Sequence, residues 1–234
     1  MNLILLEDED IKDGRAEITG SKLRHILTYI KPAVGDTLKA GLINGHMGEG
    51  VITDINHQRL VLDITMETPP PAPLPLRLIL AMPRPKVLNR VIQHATSMGI
   101  KEIYIIKTWR VEKSYWESPV LDQENLRVQI IKGLEQGKDT IMPRIQIKKR
   151  FKPFVEDELP LIIKDSLALV SHPVAETPCP HKVDKPVTLA LGPEGGFIPY
   201  EIDALQGIGF KAVSLGDRIL RVETALPYIV GRLY

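Results

Sequence analysis

The fold is decided by residues 187–234, VTLALGPEGGFIPYEIDALQGIGFKAVSLGDRILRVETALPYIVGRLY. This stretch begins with an apolar, β-prone run, Val187–Leu191, which is followed by a glycine-rich break at residues 192–196. Residues 199–206 then mix polar and apolar side chains at helical spacing. The order strand, glycine loop and helix is typical of an α/β fold with a parallel sheet.

A second strand and a second glycine loop follow that helix. Residues 212–215 form a short β-prone run that stops at Gly216, and residues 222–233 again have helical spacing. Both loops would leave the carboxyl edge of the parallel sheet, where open α/β sheets hold ligands and where glycine lets backbone groups approach a ligand closely. A tight turn without a ligand would explain either loop alone. Together, the two loops predict one small-molecule site.

The charge of the chain does not indicate a broadly basic surface. Its 234 residues include 30 Lys and Arg against 29 Asp and Glu, a net charge of +1. Residues 1–70 hold 7 basic and 11 acidic side chains, a balance of −4, and residues 71–234 hold 23 and 18, a balance of +5. A nucleic-acid partner would therefore be bound through local basic clusters and shape.

The composition argues against several other classes of protein. A hydrophobic content of 44% with 25% charged residues is typical of a globular protein with a core. Apolar runs stay below the roughly 18 residues of a membrane span, which predicts a cytoplasmic protein with no membrane partner. The single cysteine, Cys179, cannot form an internal disulfide, and the six histidines have no paired spacing, so we expect no metal site. The glycine loops match neither a P-loop nor a complete G-x-G-x-x-G.

A proline-rich segment divides the chain. Residues 68–75, TPPPAPLP, contain five prolines and predict a stiff, extended spacer between two domains. The short β segments and glycine turns of residues 1–70 indicate a small barrel. Beyond the spacer, strand, helix and strand patterns over residues 76–107 predict a βαβ unit, which belongs to the second domain, residues 71–234.

The two glycine motifs carry a resemblance to a known family. GPEGGF at residues 192–197 and SLGDRILRVETA at residues 214–225 resemble the C-terminal signature of the RsmE family. These are SPOUT-superfamily methyltransferases that methylate N3 of a uridine in small-subunit ribosomal RNA. The resemblance is strong over residues 187–225, recognisable over residues 76–136 and weak in the first seventy residues. It implies a PUA-like, RNA-binding barrel at residues 1–70, a trefoil-knotted SPOUT domain and a homodimer packed through the terminal helix.

The resemblance also implies S-adenosylmethionine as the cofactor. It assigns to the cofactor site Ser171, Leu191, Gly192, Gly196, Ser214, Leu215, Gly216, Ile219, Leu220, Thr224 and Ala225. Uridine N3 must lose its imide proton before it can accept a methyl group, and a nearby cation would stabilise the resulting anion. We hypothesise that Arg221 is this cation, and that Glu223 orients it or caps the helix.

The implied substrate is small-subunit (16S) ribosomal RNA, within the assembled subunit. The residues that we assign to RNA contacts are Lys22, Arg24, Arg84, Lys86, Arg90, Gln136 and Arg218. The competing interpretation is a solvated helix face for Lys22, Arg24, Arg84, Lys86 and Arg90, and a cap on its own helix for Gln136.

Two alternative functions remain open on the sequence. One is a SPOUT methyltransferase that acts on another RNA nucleotide, which the second domain would equally permit. The other is a non-catalytic RNA-binding module that retains the cofactor loops. This alternative is kept open by two departures from the family pattern: Lys31 replaces an arginine and loses its planar fork, and Ser97 replaces an acidic residue.

Overall fold

The computed structural model describes residues 2–234, which form two compact units. The first unit comprises residues 2–72 together with Leu134–Met142, and the second comprises Pro73–Gly133 and Pro143–Tyr234. The sequence predicted a boundary between residues 70 and 71. The division lies two residues later, and the sequence did not predict that Leu134–Met142 belongs to the first unit.

The first unit is built on a mixed β-sheet. Its strands are β1 (Ile4–Leu6), β2 (Ile11–Lys12), β3 (Arg15–Ile18), β4 (Thr37–Leu42), β5 (Met47–Ile55) and β6 (Leu60–Thr68). They lie in the order β1-β4-β5-β6-β3-β2, and the pairs are antiparallel except β1 with β4. A short 3₁₀ turn, Asp8–Asp10, precedes β2, and helix α1 (Gly20–His25) continues as a π-helical turn, Ile26–Ile30. Leu6, Leu23, Ile26 and Leu62 belong to its core.

The segment Leu134–Met142 is held to the first unit by hydrogen bonds around the β4–β5 turn. The Asn44 amide donates to the Thr140 carbonyl at 2.9 Å, and Thr140 Oγ1 donates to the Gly45 carbonyl at 2.6 Å. The Met142 amide donates to Asn44 Oδ1 at 3.0 Å. A Cβ on Gly41 would lie 2.6 Å from Thr140 Cγ2, so the segment packs tightly against β4.

The second unit contains a parallel sheet, which confirms the predicted α/β fold. Its strands are β7 (Leu76–Ala81), β8 (Glu102–Ile106), β9 (Arg144–Lys148), β10 (Leu167–Ser171), β11 (Val187–Leu191) and β12 (Lys211–Val213). They lie in the order β12-β10-β11-β7-β8-β9. Every residue of β11 is buried, as expected for an apolar strand between two parallel neighbours. β12 ends two residues before the predicted end at residue 215.

Helices connect these strands. They are α2 (Pro85–Ser97), α3 (Gln123–Gly137), α4 (Phe151–Pro153), the π-helical turn Phe154–Glu158, α5 (Leu159–Ile163), α6 (Pro199–Gly207) and α7 (Val222–Leu233), with 3₁₀ turns at Lys113–Glu117 and Pro119–Leu121. α2 packs against α7. Within residues 2–234, no helix combines the length and the apolar character that a membrane span requires.

Candidate functional site

A cavity of about 320 Å³ lies at the carboxyl ends of the neighbouring strands β10 and β11. Its volume is at the lower end of the range of about 300–1,000 Å³ that is usual for small-molecule sites. The lining residues are Ser171, His172, Pro173, Leu191, Gly192, Pro193, Glu194, Gly195, Gly196, Phe197, Ile219, Leu220, Arg221, Val222 and Ala225. The first glycine loop and the segment before α7 therefore face one cavity.

The first glycine loop is fixed by bonds from outside it. Arg110 Nη1 donates to the Gly195 carbonyl at 2.6 Å, and the Arg84 amide donates to Glu194 Oε1 at 3.0 Å. Within the loop, the Gly196 amide donates to the Pro193 carbonyl at 2.8 Å, and Gly196 has a φ of +70°, which side chains rarely adopt. The loop is thus held in one conformation beside the cavity.

The second loop begins directly after β12. The Ser214 amide donates to the Thr177 carbonyl at 2.7 Å, and the Gly216 amide donates to Ser214 Oγ at 3.2 Å. Gly216 has a φ of +106°, so the chain turns here in a way that favours glycine. Farther along the loop, the side chain of Ile219 is 85% exposed at the edge of the cavity. An apolar side chain exposed at this position is available to pack against a ligand.

Arg221 combines a side-chain charge with a helix terminus. It is the N-cap residue of α7, and its carbonyl accepts hydrogen bonds from the amides of Thr224 at 2.9 Å and Ala225 at 2.7 Å. The amino end of a helix carries a partial positive charge that favours anions and disfavours cations. An exposed arginine at this position therefore provides, with the helix end, a place where negative charge is stabilised.

His172 is a cavity residue that the site prediction missed. Its amide donates to the Val213 carbonyl at 3.0 Å, which fixes the chain just beyond β10. Its Nδ1 atom is buried, without a hydrogen-bond partner among the described residues. Burial lowers the pKa of His172 below the ordinary 6.5, so the imidazole is neutral at pH 7.

The cavity brings together much of the predicted cofactor site. The predicted residues that line it are Ser171, Leu191, Gly192, Gly196, Ile219, Leu220, Arg221 and Ala225. The predicted residues outside its lining are Ser214, Leu215, Gly216, Glu223 and Thr224, whose roles stay predictions. The lining residues that were not predicted are His172, Pro173, Pro193, Glu194, Gly195, Phe197 and Val222. Each of these lies within two positions of a predicted one, so proximity in sequence was the available signal.

Glu223 faces a residue of another helix. Its carboxylate lies 3.9 Å from Arg90 Nη1, and the Glu223 side chain is 14% exposed whereas that of Arg90 is 64% exposed. Arg90 lies on α2, so this contact joins a residue predicted to bind RNA to one predicted to assist catalysis.

The other predicted RNA-binding residues are distributed over both units. In the first unit, Lys22 Nζ lies 3.4 Å from Asp10 Oδ2, Arg24 is exposed, and the carbonyl of the exposed Gln136 accepts from Asn2 Nδ2 at 3.1 Å. The predicted RNA-binding residues of the second unit, Arg84, Lys86, Arg90 and Arg218, are all exposed.

The chain is similar to known proteins over most of its length. The sequence model of a family described as RNA methyltransferase domain matches residues 70–234. Ribosomal RNA small subunit methyltransferase E of Treponema pallidum (strain Nichols) is 30% identical over 232 residues, which covers 96% of this chain and 87% of that protein. Another similar protein, Ribosomal RNA small subunit methyltransferase E 1 of Borreliella burgdorferi, is 24% identical over 225 residues, 96% of this chain and 94% of that protein.

Two of the similar solved structures support the fold. A putative methyltransferase from Legionella pneumophila, in complex with bound SAM, superimposes with a TM-score of 0.75 at 23% identity, over 98% of this chain and 95% of that chain. Ribosomal RNA small subunit methyltransferase E from Neisseria gonorrhoeae, bound to S-adenosyl methionine, gives 0.71 at 19% identity over the same shares. By its matching domain and its similarity along nearly the whole chain, the protein belongs to the ribosomal RNA small subunit methyltransferase E family.

Proposed function

We propose that this protein transfers a methyl group from S-adenosylmethionine to N3 of a uridine in small-subunit (16S) ribosomal RNA, in the cytoplasm and on the assembled subunit. One observation carries the proposal. The first glycine loop and the segment Ile219 to Val222, which come from separate parts of the chain, line a single cavity at the carboxyl edge of a parallel sheet. Family membership provides the reaction class for that cavity.

The lining of the cavity fits S-adenosylmethionine. The exposed apolar side chain of Ile219 can pack on a flat adenine ring, and the backbone of Gly192 to Gly196 can hydrogen-bond to polar groups. The cofactor, when bound, supplies an electrophilic methyl group on a sulfonium cation. Because His172 is neutral at pH 7, its side chain does not repel that cation. We also assign cofactor contacts to Ser214, Leu215 and Gly216, which precede the lining residue Ile219 in the second loop, and to Thr224, which lies in sequence between the lining residues Val222 and Ala225.

Arg221 acts on the uridine in this proposal. The imide proton passes from N3 to solvent water, and the negative charge that N3 then shares with its two flanking carbonyl oxygens has to be stabilised. In the attack, the N3–CH₃ bond would form as the donor's C–S bond breaks and S-adenosylhomocysteine leaves. Arg221 and the amino end of α7 provide that stabilisation. Glu223 positions the first turn of α7 through its contact with Arg90.

The remaining assignments complete the proposal. The first unit would be a PUA-like module that binds RNA through Lys22, Arg24 and Gln136, which all belong to this unit. The second unit would be a trefoil-knotted SPOUT domain whose RNA-facing residues include Arg84, Lys86, Arg90 and Arg218. Two copies would pack through α7, whose exposed side chains include Tyr228.

Methyl mapping in a strain that lacks the gene tests the proposal. We expect one uridine of the small-subunit RNA to lose its N3 methyl group, and the purified protein to restore it on isolated subunits with tritiated S-adenosylmethionine. Loss of methylation at a different base would contradict the uridine assignment. Calorimetric binding of S-adenosylmethionine without transfer to subunits would instead indicate a non-catalytic module.

A further inference from the structure

A second cavity, of about 520 Å³, lies at the same carboxyl edge of the parallel sheet. It is bordered by residues that follow β8, residues that follow β9 and the start of α6. The lining residues are Lys107, Thr108, Trp109, Val111, Lys113, Lys149, Phe151, Lys152, Ile198, Tyr200 and Glu201. The proposed reaction at the cofactor cavity uses none of them.

The lining of this cavity is cationic. Four lysines contribute to it, at positions 107, 113, 149 and 152. Lys152 lies 3.7 Å from Glu156, but both side chains are more than half exposed, so that pair is weak. Glu201 is the acidic residue among the described lining residues, and its carboxylate already accepts hydrogen bonds from two backbone amides. With four lysines against one carboxylate, the lining of the cavity offers a net positive charge to a ligand.

The lining of this cavity also includes the indole of Trp109, whose backbone is held by a hydrogen bond. The side chain of Trp109 is 80% exposed, whereas its amide is anchored at 2.7 Å to Glu201 Oε1. The next residue, Arg110, is tied to the Gly195 carbonyl in the first glycine loop. Tyr200 adds a second aromatic ring, which is 51% exposed. Exposed aromatic rings beside lysines are the elements that bind single-stranded nucleic acids, through base stacking and phosphate contacts.

We propose that this cavity binds a single-stranded segment of the substrate RNA that flanks the methylated uridine. In this arrangement one base stacks on Trp109, and Lys149 and Lys152 contact the phosphates beside it. The inference rests on the proposed function, because an RNA methyltransferase must hold the strand on either side of its target. The chain from Gly195 to Tyr200 joins the two cavities, so the nucleotide at one would adjoin the uridine at the other.

Tryptophan fluorescence provides a test that does not depend on activity. The chain has two tryptophans, and Trp116→Phe leaves Trp109 as the reporter. This substitution is tolerable because Trp116 Nε1 is buried without a partner in the described part of the chain. We expect octauridylate to quench the fluorescence of Trp109, and the affinity to fall as salt rises. The double substitution Lys149→Glu and Lys152→Glu should weaken binding at least about tenfold. The matched control is Lys164→Glu with Lys185→Glu, two exposed lysines outside the lining.

Steady-state kinetics on small subunits separates this inference from the proposed function. Trp109→Ala should raise KM for subunits about tenfold, with kcat and the Kd for S-adenosylmethionine unchanged, and Trp109→Phe should restore most of the loss. Quenching by octauridylate in a protein that methylates nothing would support the binding site and remove the proposed function. Normal methylation with unquenched Trp109 would overturn the inference. It would also be overturned if Trp109→Ala dissociated a dimer without changing RNA binding, because a second copy would then cover the cavity.

Discussion

At the residue scale, Arg221 and His172 lie in the same cavity and have opposite electrostatic roles. Arg221 is a permanent cation at the amino end of α7, where the helix dipole favours an anion. His172 is kept neutral by burial, so it leaves room for a cationic ligand. The two side chains thus create distinct environments within one lining, which suits a reaction between a cationic donor and an anionic acceptor.

Replacing Arg221 separates catalysis from cofactor binding. Arg221→Ala should leave the Kd for S-adenosylmethionine within about threefold of the unsubstituted value while reducing methyl transfer at least about 100-fold, because the anion at uridine N3 loses its stabilising charge. Calorimetry and tritiated-methyl transfer measure the two effects. A parallel loss of both would assign Arg221 to cofactor binding. Arg144→Ala, at an exposed position on β9 outside the lining of both cavities, is the matched control.

His172 should make cofactor binding depend on pH. Burial depresses its pKa below 6.5, so the neutral form predominates above that pH, and protonation sets in as the pH falls further. The positive charge then repels the sulfonium, and affinity should fall by up to about tenfold per pH unit, the limit for one proton. Calorimetric titration with S-adenosylmethionine over a range from about pH 7.5 to about pH 5 would measure this decrease in affinity. In His172→Gln the decrease should disappear, and its persistence would show that His172 does not cause it.

At the element scale, one buried carboxylate joins α6 to the segment after β8. Glu201 is 3% exposed, and its two oxygens accept from the amides of Trp109 at 2.7 Å and Ile198 at 3.0 Å. The second of these bonds caps the start of α6. The same carboxylate therefore fixes the helix that follows the first glycine loop and the backbone that carries the exposed indole.

Removing this carboxylate should destabilise the fold. Glu201→Ala leaves two amides without partners, at roughly 1–3 kcal/mol each, so we expect the free energy of unfolding to fall by roughly 2–6 kcal/mol. Urea denaturation should show a lower midpoint with an unchanged slope. Glu176→Ala, at an exposed position, should have no such effect. A midpoint equal to that of the control would mean that water replaces both bonds.

Elements with strong local patterns were predictable from the sequence. The bounds of β7, β11 and α7 agree with the prediction, because continuous apolar runs mark buried parallel strands and the spacing of α7 marks one buried face. The stretch from Phe151 to Ile163 is helical although it contains Pro153 and Pro160, which favour a loop when considered alone. There the burial of Phe154 and Leu159 in the core outweighs local preference.

Site residues that lie in a local sequence motif were predictable. Those whose environment depends on contacts between distant parts of the chain were not. Gly192, Gly196 and Arg221, which the sequence motifs mark, line the cavity. The contact of Glu223 with Arg90 was not predicted, because the two residues are 133 positions apart in sequence. The neutral His172 likewise depends on burial, which no local motif encodes.

At the scale of the whole molecule, the two units are not consecutive in sequence. Leu134–Met142 belongs to the first unit although residues on both sides of it belong to the second. Its bonds to Asn44 and Gly45 therefore link the fragments on either side of the proline-rich spacer.

Cutting the spacer should not separate the fragments. A protease site inserted between Ala72 and Pro73 should be cleaved, because both residues are exposed, yet the two pieces should elute together in size-exclusion chromatography. Thr140→Ala removes the 2.6 Å bond to the Gly45 carbonyl and should lower the urea concentration at which the pieces part. Separation of the pieces without denaturant would contradict the assignment of Leu134–Met142 to the first unit.

The order of synthesis on the ribosome has to accommodate this arrangement. Domains generally fold as units while the chain is made, beginning at the amino end. Here the nascent first unit lacks a piece until residue 142 has left the exit tunnel, by which time β7, α2 and β8 have already emerged. During that interval the amino-terminal sheet lacks the segment that packs on its β4–β5 turn, so a pause in translation before residue 134 would prolong the exposure of that turn to chaperones and proteases.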